Sequence, residues 1–99
     1  MMDNKVFWIV KAVIESAAEE EWNHWYNSVH VPEVMACPGF LSARRVVAEE
    51  EGQRTYIAIY ELEDESAATS DAFNNIRGWG EFSDQVQSES KLYRTILAL

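Results

Sequence analysis

Apolar and polar positions fall into blocks of different period along the chain. Residues 6–13 read VFWIVKAV, a short β-branched and aromatic run between polar residues whose length favours a buried strand over a helix. Ser16 and Glu19 then stand three apart in the S-A-A-E order of a capping box, with Glu20 and Glu21 suited to the positive end of a helix dipole. A helix is therefore expected from Ala17. Along it Ala18, Trp22, Trp25, Tyr26 and Val29 recur at intervals of three and four, while Glu20, His24 and Asn27 fall on the opposite side. Pro32 disfavours helical geometry at Val31, so the helix is expected to break near His30 and Pro32 to open a short second helix through Ala36, ended by Pro38-Gly39. Residues 40–48 (FLSARRVVA) and 55–62 (TYIAIYEL), joined by EEEGQ with Gly52, predict two antiparallel strands. From 66 to 88, Phe73, Ile76, Trp79, Phe82 and Val86 lie at helical spacings, which predicts a second long helix kinked or split at Gly78 and Gly80. KLYRTILAL, residues 91–99, closes the chain as a fourth strand.

Strand, helix, strand, strand, helix, strand is the ferredoxin-like βαββαβ order, an α+β architecture, with no internal repeat or linker. Right-handed crossovers place both helices on one face of a four-stranded antiparallel sheet and leave the other face bare. A bare apolar face needs cover, and pairing two sheets face to face supplies it, so the pattern predicts a homodimer through the sheet face. Trp8, Tyr56, Ala58 and Tyr60 alternate, but alternation alone leaves their face open. The 99 residues suit one domain, 1–99, and 4 Trp, 4 Tyr and 4 Phe are many rings for a core of that size.

Composition narrows the partners. The chain is 47% hydrophobic and 25% charged with 4 Gly and 2 Pro, the makeup of a globular domain. Its 8 Lys plus Arg against 17 Asp plus Glu leave a net charge of -9, a field that repels phosphate backbones, so no nucleic-acid partner is expected. No apolar run nears the ~20 residues of a membrane span, and the first residues include Asp3 without a small-residue cleavage site. Neither a membrane partner nor export is expected, and the location read from this is cytoplasmic. Cys37, alone on a short turn, is expected to be a small buried residue rather than a nucleophile. His24, His30 and Glu33 lack the four-residue histidine spacing of a helical metal site, so no metal is expected.

Residues 21–45, EWNHWYNSVHVPEVMACPGFLSARR, resemble the EthD-like branch of the dimeric α/β-barrel superfamily. W-Y-x-x-x-H-x-P, P-G-F and A-R-R carry the likeness, and TYIAIYEL looks like that family's third strand. The resemblance implies a homodimer with a small-molecule pocket between sheet and helices in each subunit, and a pocket histidine at the position of His30. The activities it implies are varied: cofactor-independent polyketide cyclisation, muconolactone isomerisation, heme handling and quinone-forming monooxygenation.

His30 is the leading catalytic candidate, because a neutral imidazole takes or gives a proton near neutral pH. Trp22, Tyr26 and His30 stand four apart and line one strip facing the sheet if the helix persists to His30. Tyr26 can donate a hydrogen bond to a substrate carbonyl and stabilise the enolate that His30 would create. The structural alternatives are core packing for Tyr26 and, for His30, a cap or carbonyl bond that fixes the bend before Pro32. Glu33 suits the dipole of the helix that follows. Arg44 and Arg45 are neighbours on a strand and face opposite ways, so one can clamp a carboxylate or phenolate while the other pairs with an acid; the sequence leaves open which of the two faces the pocket, and Arg44 is taken as the substrate-binding candidate. Trp22, Tyr60 and Trp79 complete the substrate-binding set, with Trp79, flanked by Gly78 and Gly80, suited either to a lid or to a plug at the dimer seam. No axial heme ligand stands out, so no cofactor is expected. The combined expectation is a cofactor-independent lyase or isomerase, of cyclase or dehydratase type, acting on a small aromatic or polyketide-like carbonyl compound. Two other readings stay open: a non-catalytic small-ligand-binding or accessory protein of an oxygenase or degradation pathway, and a cofactor-free monooxygenase.

Overall fold

The computed structural model describes residues 4–99, and the acidic start of the chain at Asp3 lies outside the described residues. Strands β1 (Val6–Ile14), β2 (Phe40–Glu50), β3 (Gln53–Leu62) and β4 (Val86–Arg94) form one sheet in the order β2-β3-β1-β4, each neighbouring pair antiparallel. Helical segments join β1 to β2 and β3 to β4, giving the ferredoxin-like βαββαβ arrangement. Register settles the faces. Trp8 opposes Tyr60 and Val10 opposes Ala58, so these residues share one face with Ala12, Ile14, Tyr56 and Leu62 and pack there against Trp22, Tyr26, Val34 and Phe73. Phe7, Ile9, Ile57 and Ile59 alternate to the other face beside the exposed Val46 and Tyr93. That second face is an apolar stripe without helical cover.

Local chemistry explains the connections. β2 and β3 meet at Glu51 and Gly52, whose φ values of 54° and 80° are those of a two-residue turn with both central residues left-handed. Gly39, before β2, has φ 89°, and a Cβ there would meet the Ala67 Cβ at 2.8 Å.

Five expectations about the helices and the last strand are corrected. Ser16 and Glu19 form no capping box: Ser16 lies inside a 3-10 turn, Ser16–Ala18, and α1 (Glu19–Trp25) begins after it without a side-chain cap. Glu19 instead accepts from the Tyr56 hydroxyl and pairs with Arg54 of β3 at 3.2 Å, a charged partnership stronger than a local cap. Pro32 does not break the helix. α1 continues through a π turn, Tyr26–His30, into α2 (Val31–Met35), with Val31 helical at φ -59° and ψ -47° and its N–H bonded to the Tyr26 carbonyl. The wider turn relieves the clash between a proline ring and the carbonyl four residues earlier. The same extra residue turns Val29 outward, to 42% exposure, where the spacing had placed it inside.

The second long helix is not formed. A 3-10 turn at Glu65–Thr69 leads to α3 (Asp71–Ile76), capped by Ser70, whose Oγ accepts from the Phe73 N–H at 3.2 Å. Gly78 and Gly80, at φ 112° and 54°, then leave right-handed helical space, and only a short 3-10 turn at Gly80–Phe82 follows. β4 accordingly starts at Val86, not at Lys91, and stops at Arg94. The N–H and hydroxyl of Thr95 both donate to the Lys5 carbonyl, at 3.0 and 2.7 Å, and Ile96, Leu97 and Leu99 lie exposed beyond the sheet. No helix among the described residues is long and apolar enough to cross a membrane.

Candidate functional site

A cavity of about 140 Å³ opens between the helical face of the sheet, the π turn and the loop after α3. β1 contributes Trp8 and Val10, β3 Tyr60, β4 Ser88 and Ser90, the helix Tyr26, His30 and Val34, and the loop Arg77, Gly78 and Trp79. His30 is 7% exposed, lies flat on Trp25 with ring centroids 4.9 Å apart, and meets Tyr26 edge-on at 5.2 Å. It occupies helical backbone at φ -69° and ψ -49° and makes no capping hydrogen bond. Among the described residues neither ring nitrogen has a protein hydrogen-bond partner, and neither is a sealed orphan. Burial holds the imidazole below its ordinary 6.5, Glu33 pulls it back up, and Arg45 pushes it down. It is therefore a neutral base at neutral pH.

Two phenols stand beside it. Burial raises Tyr26, and burial together with Tyr26 pushes Tyr60 far above the usual tyrosine range, so both stay protonated donors. The two rings influence each other's ionisation, yet the buried Tyr60 hydroxyl has no partner within hydrogen-bonding geometry. A buried hydroxyl left unpaired in a cavity wall costs stability unless something fills the role.

Arg45 lies behind Tyr26, its guanidinium 4.0 Å from that ring and 5.2 Å from Trp22. Its Nη1 donates to Asn27 Oδ1 at 2.7 Å and its Nη2 to Asn23 Oδ1 at 2.8 Å, while Nε is buried without a partner. Neutral amides and ring faces hold this cation, and among the described residues no carboxylate bonds to it.

The structure separates the expected residues. Tyr26, His30, Tyr60 and Trp79 come together on the cavity, whereas Arg44 is exposed on the uncovered face opposite Ile59. The cause is a β-bulge between Phe40 and Ser42: Phe40 points inward, the bulge shifts the alternation by one, and Ala43, Arg45 and Val47 follow on the inner side. Trp22 is also corrected, being 0% exposed and packed behind the cavity against Tyr26, Tyr56 and Trp79 rather than in its wall. Trp79 is no loose lid, since its Nε1 donates to Ser88 Oγ at 2.9 Å and pins the loop to β4. His24 is exposed on the far side of α1. Sequence reasoning missed Arg77, Ser88 and Ser90. The two serines alternate on β4, so reading 86–94 as a strand would have aligned them on one face.

At about 140 Å³ the cavity is below the ~300–1,000 Å³ of pockets for drug-sized ligands and suits a single ring. A porphyrin does not fit it, and no group of three metal-ligating side chains exists among the described residues.

Residues 5–93 match the model of a domain of unknown function, DUF4286. No curated protein matches at a significant level. Solved structures share the fold. A variant of SnoaB, a cofactor-independent oxygenase from Streptomyces nogalater, superimposes with a TM-score of 0.74 at 16% identity, over 98% of both chains. A dimeric ferredoxin-like protein from an uncultured marine organism gives 0.74 at 12% identity, over 98% of this chain and 100% of that one. An ethyl tert-butyl ether D (EthD) family protein from Bacillus halodurans gives 0.63 at 9% identity, over 87% and 96%. These superpositions show a shared fold, and the EthD family protein is one neighbour among several.

Proposed function

Because the chain belongs to the DUF4286 family, a domain of unknown function, its activity has to be read from the cavity, and we propose that it is a cofactor-independent enzyme of lyase or isomerase type that moves a proton on a small single-ring enolisable or phenolic compound. The observation that carries this reading is His30, a buried neutral imidazole without a protein hydrogen bond, in the wall of a ring-sized cavity. A ring nitrogen of His30 takes the proton from an acidic C–H or O–H. The Tyr26 hydroxyl donates to the oxygen on which negative charge develops, and Arg45, 4.0 Å behind the Tyr26 ring, adds positive potential on that side. Return of the proton to another carbon gives isomerisation; loss of a β-substituent with its bonding electrons gives elimination. The cavity volume favours one ring over the fused rings of a polyketide.

The shared fold with SnoaB, described as a cofactor-independent oxygenase, favours a second reading in which the same deprotonation prepares an electron-rich anion for attack on dioxygen. The test offers monocyclic unsaturated lactones and hydroquinones while following isomerisation by absorbance, deuterium incorporation by NMR, and oxygen uptake. Isomerisation or exchange without oxygen uptake is expected, falling by about 10²-fold or more in His30→Ala. Oxygen uptake that depends on His30 would instead select the oxygenase, and binding with no turnover of any probe would leave a ligand-binding protein. The uncovered sheet face is the proposed homodimer contact, supported by its apolar stripe and by a fold neighbour described as dimeric.

A further inference from the structure

We infer that the cavity takes an organic carboxylate, a single-ring monoanion whose carboxylate sits at the mouth between Arg77, Ser88 and Ser90 while its ring reaches towards His30. This names the substrate class for the proton-transfer reading above and rests on it for the reacting end. The chain carries 17 acidic side chains against 8 basic ones, and Arg54 and Arg94 are each paired with glutamates. Arg77 is different. Its guanidinium lies over the rings of Trp8 and Phe73, at 4.9 and 5.3 Å, and among the described residues it makes no ion pair and no side-chain hydrogen bond. No protein acceptor claims the guanidinium N–H donors, which leaves them to a ligand.

β4 supplies the other donors. Ser88 Oγ accepts from Trp79 Nε1 at 2.9 Å, which leaves the serine's own proton to donate elsewhere. Ser90, two residues on, lies on the same side of the strand and on the same cavity. The cavity lining therefore includes one cation and two hydroxyl donors, with no carboxylate among the lining residues described. The same lining carries His30 as an acceptor and the Tyr26 phenol as a donor. With a net charge of -9, the protein admits an anion only where a local cation offsets that field, and Arg77 stands at that place.

Benzoate and its neutral isostere benzamide are the probes, titrated into the full chain at neutral pH by calorimetry. Benzoate is expected to bind about tenfold tighter or better, the scale of a charge-assisted hydrogen-bond pair. Arg77→Gln is expected to bring benzoate to the level of benzamide, weakening benzoate far more than benzamide, and Arg77→Lys to restore part of the preference. Arg77 is exposed, so these variants keep the fold, which circular dichroism checks. Equal affinities in the unaltered protein, a preference that survives Arg77→Gln, or no benzoate binding at its solubility limit would each overturn the inference. The preference is an equilibrium property that His30→Ala should leave in place, so a failure of the proton-transfer reading appears separately, as absent turnover with the benzoate preference intact.

Discussion

The charge state of His30 is set by three side-chain environments at once. Burial in the aromatic cluster disfavours the imidazolium, Arg45 adds to that, and Glu33 opposes it from the helix surface. Each is separable by mutation. With a base that must be neutral to act, the acid limb of kcat/KM is expected below pH 6.5, the ordinary histidine value. Glu33→Gln removes the one influence that favours the protonated ring, so it should move that limb to still lower pH. An NMR titration of the His30 C2 proton reads the same shift without a substrate, and a limb that stays put or rises would contradict the electrostatic account. W-Y-x-x-x-H-x-P made Tyr26 and His30 legible in the sequence, because i and i+4 positions share a helical face. The choice between Arg44 and Arg45 was not legible, since it depends on a bulge at Leu41 that no local composition announces.

The elements follow the sequence where one period dominates and depart from it where two forces compete. β1, β2 and β3 are plain in the β-branched runs, and the acidic EEEGQ segment turns as expected. The stretch from 66 to 88 misled because its apolar spacing is helical, while Ser70 starts a helix late and Gly78 ends it early. β4 was hidden for another reason: as an edge strand it carries Gln87, Ser88, Glu89 and Ser90, a polar run that breaks the apolar signal. Gly39 is a sharper test of local design. A side chain there meets both a left-handed φ of 89° and the Ala67 Cβ at 2.8 Å. Gly39→Ala is expected to lower stability by at least the roughly 1–2 kcal/mol of the left-handed backbone alone, measured by urea unfolding. A change below about 0.5 kcal/mol, the scale of neutral surface substitutions, would mean that the loop relaxes freely.

For the whole molecule, the decisive asymmetry is between the two sheet faces. One is filled by Trp22, Tyr26, Phe73 and their neighbours; the other presents Phe7, Ile9, Ile57 and Ile59 without cover from its own chain. Ile59 lies on a central strand of that face, opposite Ile9 and Arg44. Ile59→Asp is therefore expected to shift the proposed dimer to monomer in light scattering after size exclusion, with the far-ultraviolet spectrum unchanged; an unaltered protein that is itself monomeric would remove the proposed contact. A dimer that survives the substitution would place the contact elsewhere. The single bulged residue in β2 gives these two faces a shared dependence. It sends Arg45 inward beneath Tyr26 and, by the same step, Arg44 and Val46 outward onto the proposed contact. Loss or gain of one codon between Phe40 and Ala43 would exchange the contents of both faces together, turning Arg44 and Val46 inward and Ala43, Arg45 and Val47 onto the proposed contact. Such a segment is expected to tolerate a change of residue far better than a change of length, because one residue gained or lost alters the candidate site and the proposed contact at once.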